Sequence, residues 1–245
     1  MALLTEEDVR RMSDNGTRGP VVVNRGEVLT PGARDWLRAH KVEVVYPQGE
    51  SPEHAPGAPA PAKYQTLFGA TLNEKPEHMT HLKGNTLVFK DHPRIAFRGW
   101  IDALEAELLL AQQAAAGEGL AALAEELGEA LAFTRRFIRC DVLDEPVGPI
   151  HLCGYTAEQL REVSHYPDKH LGQPHFLPSC TDAHALLAVN RARTVARQTE
   201  LAAYAAFRDA DGGVTRDDII QGLNRLSSLL WILMCKCKGG HYAHA

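Results

Sequence analysis

The period of the apolar positions changes along this chain. Residues 1–46 mix short β-like and short helical runs. Thr5-Glu6-Glu7-Asp8 opens a helix with a capping signal and acids in its first turn. Val21-Val22-Val23 and Val42-Glu43-Val44-Val45 read as short strands. Between them Thr30 caps a second helix, with Pro31 at its first position and apolar residues at Ala33, Trp36 and Leu37. Residues 47–63 are rich in Pro, Gly and Ala, which predicts an extended linker.

After the linker a helical period takes over. Residues 93–116 carry an apolar stripe at Ile101, Leu104, Leu108 and Ala111. Gly117 and Gly119 interrupt it, and residues 119–139 resume with Leu120, Leu123, Leu127, Ala130 and Leu131. Asp141 to Gly154 reads as a Pro/Gly loop, and Thr156-Ala157-Glu158-Gln159 is a capping box. Residues 166–180 hold no helical period. The spans 181–208 and 215–236 are the two longest predicted helices, with Thr181 and Thr215 as N-caps. The second carries Ile219, Leu223, Leu226 and Leu230 on one stripe. The expected fold is mainly α: an antiparallel bundle of about five helices over 64–238, with a small α/β appendage at 1–46 and a flexible tail at 239–245. No internal repeat is visible.

Composition narrows the function classes. A chain of 245 residues, 44% hydrophobic and 23% charged, holds one sizeable core plus a small appendage. A net charge of −5 argues against a general nucleic-acid binder. The longest apolar run, Leu229 to Cys235, is too short to span a bilayer. Five cysteines, an odd count, and no secretory signal predict a reducing, cytoplasmic setting.

The candidate chemistry centres on His175-Phe176-Leu177-Pro178 and the helix after it. Spacings of 4 and 3 put Arg193, Arg197 and Glu200 on one helical face. Two arginines one turn apart repel unless an anion lies between them, and Glu200 can hold only one. The plain alternative is a solvated arginine face. Asn224 borders the apolar seam of the last helix, where an amide needs a partner. Asp102 sits among apolar neighbours, so it is either paired with a cation or exposed near the helix start. From Thr80 to Asp91, Gly84 allows close backbone approach, and Thr86 and Lys90 could reach phosphates or Mg²⁺; an ordinary surface turn is the alternative. The tail Cys235-x-Cys237-x₃-His241-x₂-His244 offers soft ligands, but at a terminus, and no metal site is assigned. His165, His170 and His175 recur every five residues in the loop region.

Taken in order, these segments resemble one family. Lys90-Asp91-His92-Pro93-Arg94, Gly99-Trp100-Ile101-Asp102-Ala103-Leu104, His175-Phe176-Leu177-Pro178, Ala192-Arg193-Thr194-Val195-Ala196-Arg197 and Leu223-Asn224-Arg225-Leu226-Ser227 are similar to the ATP:corrinoid adenosyltransferases over roughly residues 78–238. Thr80-His81-Leu82, Phe97-Arg98-Gly99 and Asp141…Asp144-Glu145-Pro146-Val147-Gly148 resemble the branch found with ethanolamine utilisation. Gln198, Leu201 and Ser228 stand where the family usually carries two arginines and an aspartate.

The resemblance implies an enzyme that transfers the 5′-deoxyadenosyl group of ATP to cob(I)alamin, with Mg²⁺. A corrinoid-binding escort with little turnover is the alternative. It implies that Arg197, Glu200 and Asn224 contact nucleotide together with Thr80, Lys83, Thr86 and Lys90. Asp102 would pair with Arg193 across a subunit boundary, and Phe176 would cover the cobalt face. The implied assembly is a homo-oligomer, a trimer ahead of a dimer. The implied partners are a flavoprotein or other reductase and a cobalamin-dependent lyase such as ethanolamine ammonia-lyase. Residues 1–46 could dock a partner or a microcompartment shell.

Overall fold

A computed structural model describes residues 2–14, 20–24, 27–45 and 63–242. Most of the Pro/Ala-rich segment, along with His244 of the tail, lies outside these residues. The chain divides into two compact units after Pro61.

The first unit is built from two similar β-α-β passes. One is β1 (Ala2–Leu4), α1 (Glu6–Asp14) and β2 (Val21–Val22); the other is β3 (Glu27–Leu29), α2 (Pro31–Ala39) and β4 (Val44–Val45). β1 pairs with β3 and β2 with β4, both parallel. In each pass a Leu-Thr step turns strand into helix. The Thr5 hydroxyl accepts from Asp8 N and the Thr30 hydroxyl from Ala33 N. The repeat escapes a reading of the sequence because little beyond this Leu-Thr step recurs. Val9, Val21, Val23, Leu29, Ala33 and Leu37 form the core of this unit.

The second unit opens with a sheet that the helical period did not foretell. Strands β5 (Tyr64–Thr66), β6 (Thr71–Leu72), β7 (Met79–Lys83) and β8 (Thr86–Phe89) lie in the order β6-β5-β8-β7. The segment from Thr80, expected as a loop, is therefore mostly a hairpin. It turns at Gly84-Asn85, where Gly84 has φ +54°. Met79, Leu82, Leu87 and Val88 are its buried residues, and a bulge between His81 and Lys83 shifts the register.

The bundle is formed by α3 (Pro93–Gly117), α4 (Ala121–Leu143), α5 (Ala157–His165), α7 (His184–Phe207) and α8 (Asp217–Lys238). α3 packs on α4 and α7, and α8 packs on α4, α5 and α7. The predicted stripes of α3 and α8 are fully buried. α4 runs four residues further than expected and ends at Asp144 in the left-handed region. The capping box on α5 is present. The aperiodic stretch before α7 contains a short helix, α6 (Pro167–Leu171), and between β9 (His151–Leu152) and β10 (Tyr155–Thr156) there is a small antiparallel pair. Neither Thr181 nor Thr215 caps a helix: α7 starts after Ala183 and α8 after Arg216. The tail is docked as far as Tyr242, which is 6% exposed and donates to Glu126. No described helix is long and apolar enough to cross a membrane.

Candidate functional site

An open cleft of about 600 Å³ lies where α7, α8, the end of α5 and the His175–Pro178 loop meet. It gathers Phe176, Arg193, Arg197, Glu200 and Asn224, five of the residues singled out from sequence. Ser164, His165, His175, Leu177 and Pro178 line it as well. So do Leu201, Arg225, Ser227, Ser228 and Trp231.

The α7 wall is cationic. Among the described residues neither Arg193 nor Arg197 has a carboxylate within ion-pairing distance. Arg193 donates to Asn190 Oδ1 at 3.1 Å, and its guanidinium lies 5.5 Å from the centre of the Trp231 ring. Burial, and then the charge of Arg197, push the Arg193 pKa down. A guanidinium does not lose its proton in such a place, so an arriving anion is favoured. Glu200 is engaged elsewhere: its Oε1 accepts from Asn224 Nδ2 at 2.9 Å. Arg225 donates to Asn224 Oδ1, so the amide bridges Glu200 and Arg225. The expected need for a partner at Asn224 is met within the chain, and the residue still lines the cleft.

An aromatic group adjoins this wall. Trp231 stacks on His175 (centroids 5.5 Å, 13° between planes) and on Phe176 (5.2 Å, 24°). Lys238, paired with Asp182, lies over the other aromatic neighbour, 5.7 Å from the Phe176 ring centre. His175 Nε2 lies 3.2 Å from His165 O, which holds the loop against α5. Leu177 next door is 92% exposed. Trp231 joins Phe176 to Arg193, a role hidden in the sequence because Trp231 reads as one more apolar residue of α8.

The remaining candidates lie outside this cleft. Thr80, Lys83 and Thr86 belong to the β7–β8 hairpin, Lys90 follows β8, and none of the four lines the cleft. Lys83 pairs with Asp144, so its charge is already matched. Asp102 is exposed, one position past the buried Ile101, and forms no ion pair among the described residues. The expectation of a buried Asp102 therefore fails within one chain: the core-facing stripe of α3 runs through Phe97, Ile101, Leu104 and Leu108, about 100° away from residue 102.

The hairpin is held by a cluster that sequence reasoning missed. Asp141 is fully buried and accepts from Arg94 Nε (2.7 Å) and Arg98 Nε (2.6 Å). Arg98 also donates to Leu82 O (2.7 Å) and His81 O (3.2 Å), and Arg94 to Asp141 O (2.6 Å). The two arginines share one face of α3, so one carboxylate from α4 ties helix and strand together. His92 Nδ1 accepts from Arg94 N at the start of α3. Burial, then the charges of Arg94 and Arg98, push the His92 pKa down, which keeps that acceptor unprotonated.

Among the described residues no group of three or more His, Cys, Asp or Glu converges to hold a metal. In the tail, Cys235 is buried in the core and His241 Nε2 lies 3.1 Å from Leu171 O.

A sequence model of the cobalamin adenosyltransferase family matches residues 70–237. The chain is 29% identical over 223 residues to the corrinoid adenosyltransferase EutT of Salmonella typhimurium. It is 30% identical to the protein of that name from Escherichia coli K12. Each match covers 84% of this chain and 81% of the other.

Proposed function

Since this chain belongs to the cobalamin adenosyltransferase family, we propose that its α7–α8 cleft is where the 5′-deoxyadenosyl group of ATP passes to cob(I)alamin. The activity is ATP-dependent adenosyl transfer to a corrinoid in ethanolamine utilisation. One observation carries the assignment to this cleft. Phe176, Arg193, Arg197, Glu200 and Asn224 come from three separate segments and converge there, and the two α7 arginines lack carboxylate partners among the described residues.

The electron pair of Co(I) attacks C5′ of ATP, the C5′–O bond breaks, and triphosphate leaves with that bonding pair. This step needs no nucleophile or general base from the protein. Its work is positioning and offsetting charge. Arg197, with Arg193 behind it, faces the triphosphate as charge accumulates on the leaving oxygen. Asn224 and Glu200 orient the nucleoside. Phe176, backed by Trp231, presents an apolar face to the cobalt side from which the lower ligand departs. Water excluded there leaves Co(II) four-coordinate and easier to reduce. A one-electron donor, a flavoprotein or other reductase, completes the step from Co(II) to Co(I).

The donor set does not form a metal cage of its own. An Mg²⁺ arriving with ATP would offset triphosphate charge, and Glu200, the one carboxylate among the residues lining the cleft, would be the side chain to hold it. Thr80 and Thr86 of the hairpin, and Lys90 just after it, do not line the cleft of their own chain. They serve the site in a homo-oligomer, a trimer by preference, where Asp102 of one protomer meets Arg193 of another. The product supplies a cobalamin-dependent lyase, with ethanolamine ammonia-lyase the first choice, in the cytoplasm or a bacterial microcompartment.

The test is direct. With ATP, Mg²⁺ and chemically reduced cobalamin, the visible spectrum reports the cobalt–carbon bond. The full chain forms it, and Arg197→Ala binds ATP more weakly by about 1.5–3 kcal/mol in calorimetry. Unchanged ATP affinity in Arg197→Ala removes the α7 pair from the nucleotide site. Cobalamin binding without a cobalt–carbon bond identifies an escort.

A further inference from the structure

The α7 pair is not the only cationic feature of the cleft. Arg225 lines it from α8, where α8 packs on α5. Its one hydrogen bond is to Asn224 Oδ1, and its Nε is buried with no partner. Among the described residues no carboxylate lies within ion-pairing distance of it. That nitrogen has lost water and received no hydrogen bond in return, on a side chain that is only half-buried. Arg161 on α5 adds a like charge nearby; Glu200 and Glu158 oppose it from a distance. Burial is the larger influence, and together with Arg161 it pushes the Arg225 pKa down. A side chain that cannot shed its proton is relieved only by an anion.

We infer that Arg225 forms a second anion site in this cleft, on the α5–α8 wall, and that it takes a phosphate group. Phosphate is the chemistry indicated because the planar fork offers parallel N–H donors that two phosphate oxygens can accept at once. The inference rests on the reading of the cleft given above. That reading brings two phosphate-bearing molecules here: ATP through its triphosphate, and cobalamin through the phosphodiester of its nucleotide loop. Cobinamide keeps the corrin ring and lacks that phosphodiester.

Calorimetry on the full chain separates them, with tripolyphosphate, ATP, cobalamin and cobinamide as probes. Arg225→Gln removes the charge, and Arg225→Lys keeps it without the fork. The expected result is a loss of about tenfold or more in affinity for phosphate-bearing probes in Arg225→Gln, with a smaller loss in Arg225→Lys. Cobinamide affinity stays at the wild-type value. A loss confined to tripolyphosphate and ATP assigns the site to the triphosphate; a loss confined to cobalamin assigns it to the phosphodiester. Unchanged affinity for all probes overturns the inference. So does an equal loss for all four, cobinamide included, because a disturbed cleft wall gives that pattern. If Arg197→Ala weakens ATP binding and Arg225→Gln weakens nothing, the proposed function stands and this inference alone fails.

Discussion

Phe176 keeps its place because Trp231 stacks on it from α8 and Lys238 lies over it, 5.7 Å from its ring centre. Aromatic pairs of this kind contribute about 0.5–1.5 kcal/mol beyond area burial, enough to fix a loop side chain. Nothing in this contact reaches Arg197 or Asn224, so Phe176→Ala should leave ATP affinity near wild type. Turnover from cob(II)alamin with a mild reductant should fall steeply, and turnover from cob(I)alamin should fall less because reduction is bypassed. Electron paramagnetic resonance of bound cob(II)alamin should show the four-coordinate signal in the wild type and less of it in the variant. Equal losses from both starting corrinoids would sink the proposed role. Arg193 and Arg197 were legible as a pair from spacing alone, and Asn224 from its seam position. Trp231 and Arg225 were not, since stacking and the lack of a carboxylate neighbour among the described residues belong to three dimensions.

At the scale of elements, the decisive contact is the Asp141 clamp. A fully buried carboxylate facing two arginines is costly to break on one side, because the remaining charges lose their compensation. Asp141→Asn should destabilise the chain by about 3–5 kcal/mol and lower its melting temperature by on the order of 10 °C. A melting curve superimposable on wild type would show that the clamp contributes nothing. The sheet that this clamp secures was hidden from a periodic reading. Its strands are two to five residues long, too short to build an alternating signal, while Gly84 and Lys83 look equally at home in a loop.

For the molecule as a whole, division after Pro61 argues that the second unit folds by itself. A chain beginning at Tyr64 should keep its helicity and its adenosyl transfer; retained helicity with lost transfer would tie residues 1–46 to the site or to assembly. The exposed Asp102 carries the corresponding prediction for assembly. Asp102→Asn should reduce turnover and shift sedimentation toward the monomer, because its proposed partner is another protomer's Arg193. Normal turnover together with normal sedimentation would rule that pairing out.

The long helices, their buried stripes, the capping box on α5 and the α7 arginine pair follow from the sequence by itself. Each is set by neighbours three or four positions away, and local spacing carries that information. The hairpin clamp, the aromatic stack on Trp231 and the lack of a carboxylate beside Arg225 among the described residues were decided only by the tertiary structure. Each joins residues from distant segments: Asp141 with Arg94 and Arg98, Trp231 with Phe176, and Arg225 with the wall of α5. Burial and partnership are properties of the folded surroundings, so the same Asp or Arg reads alike in the sequence whether it ends up clamped, solvated or waiting for an anion.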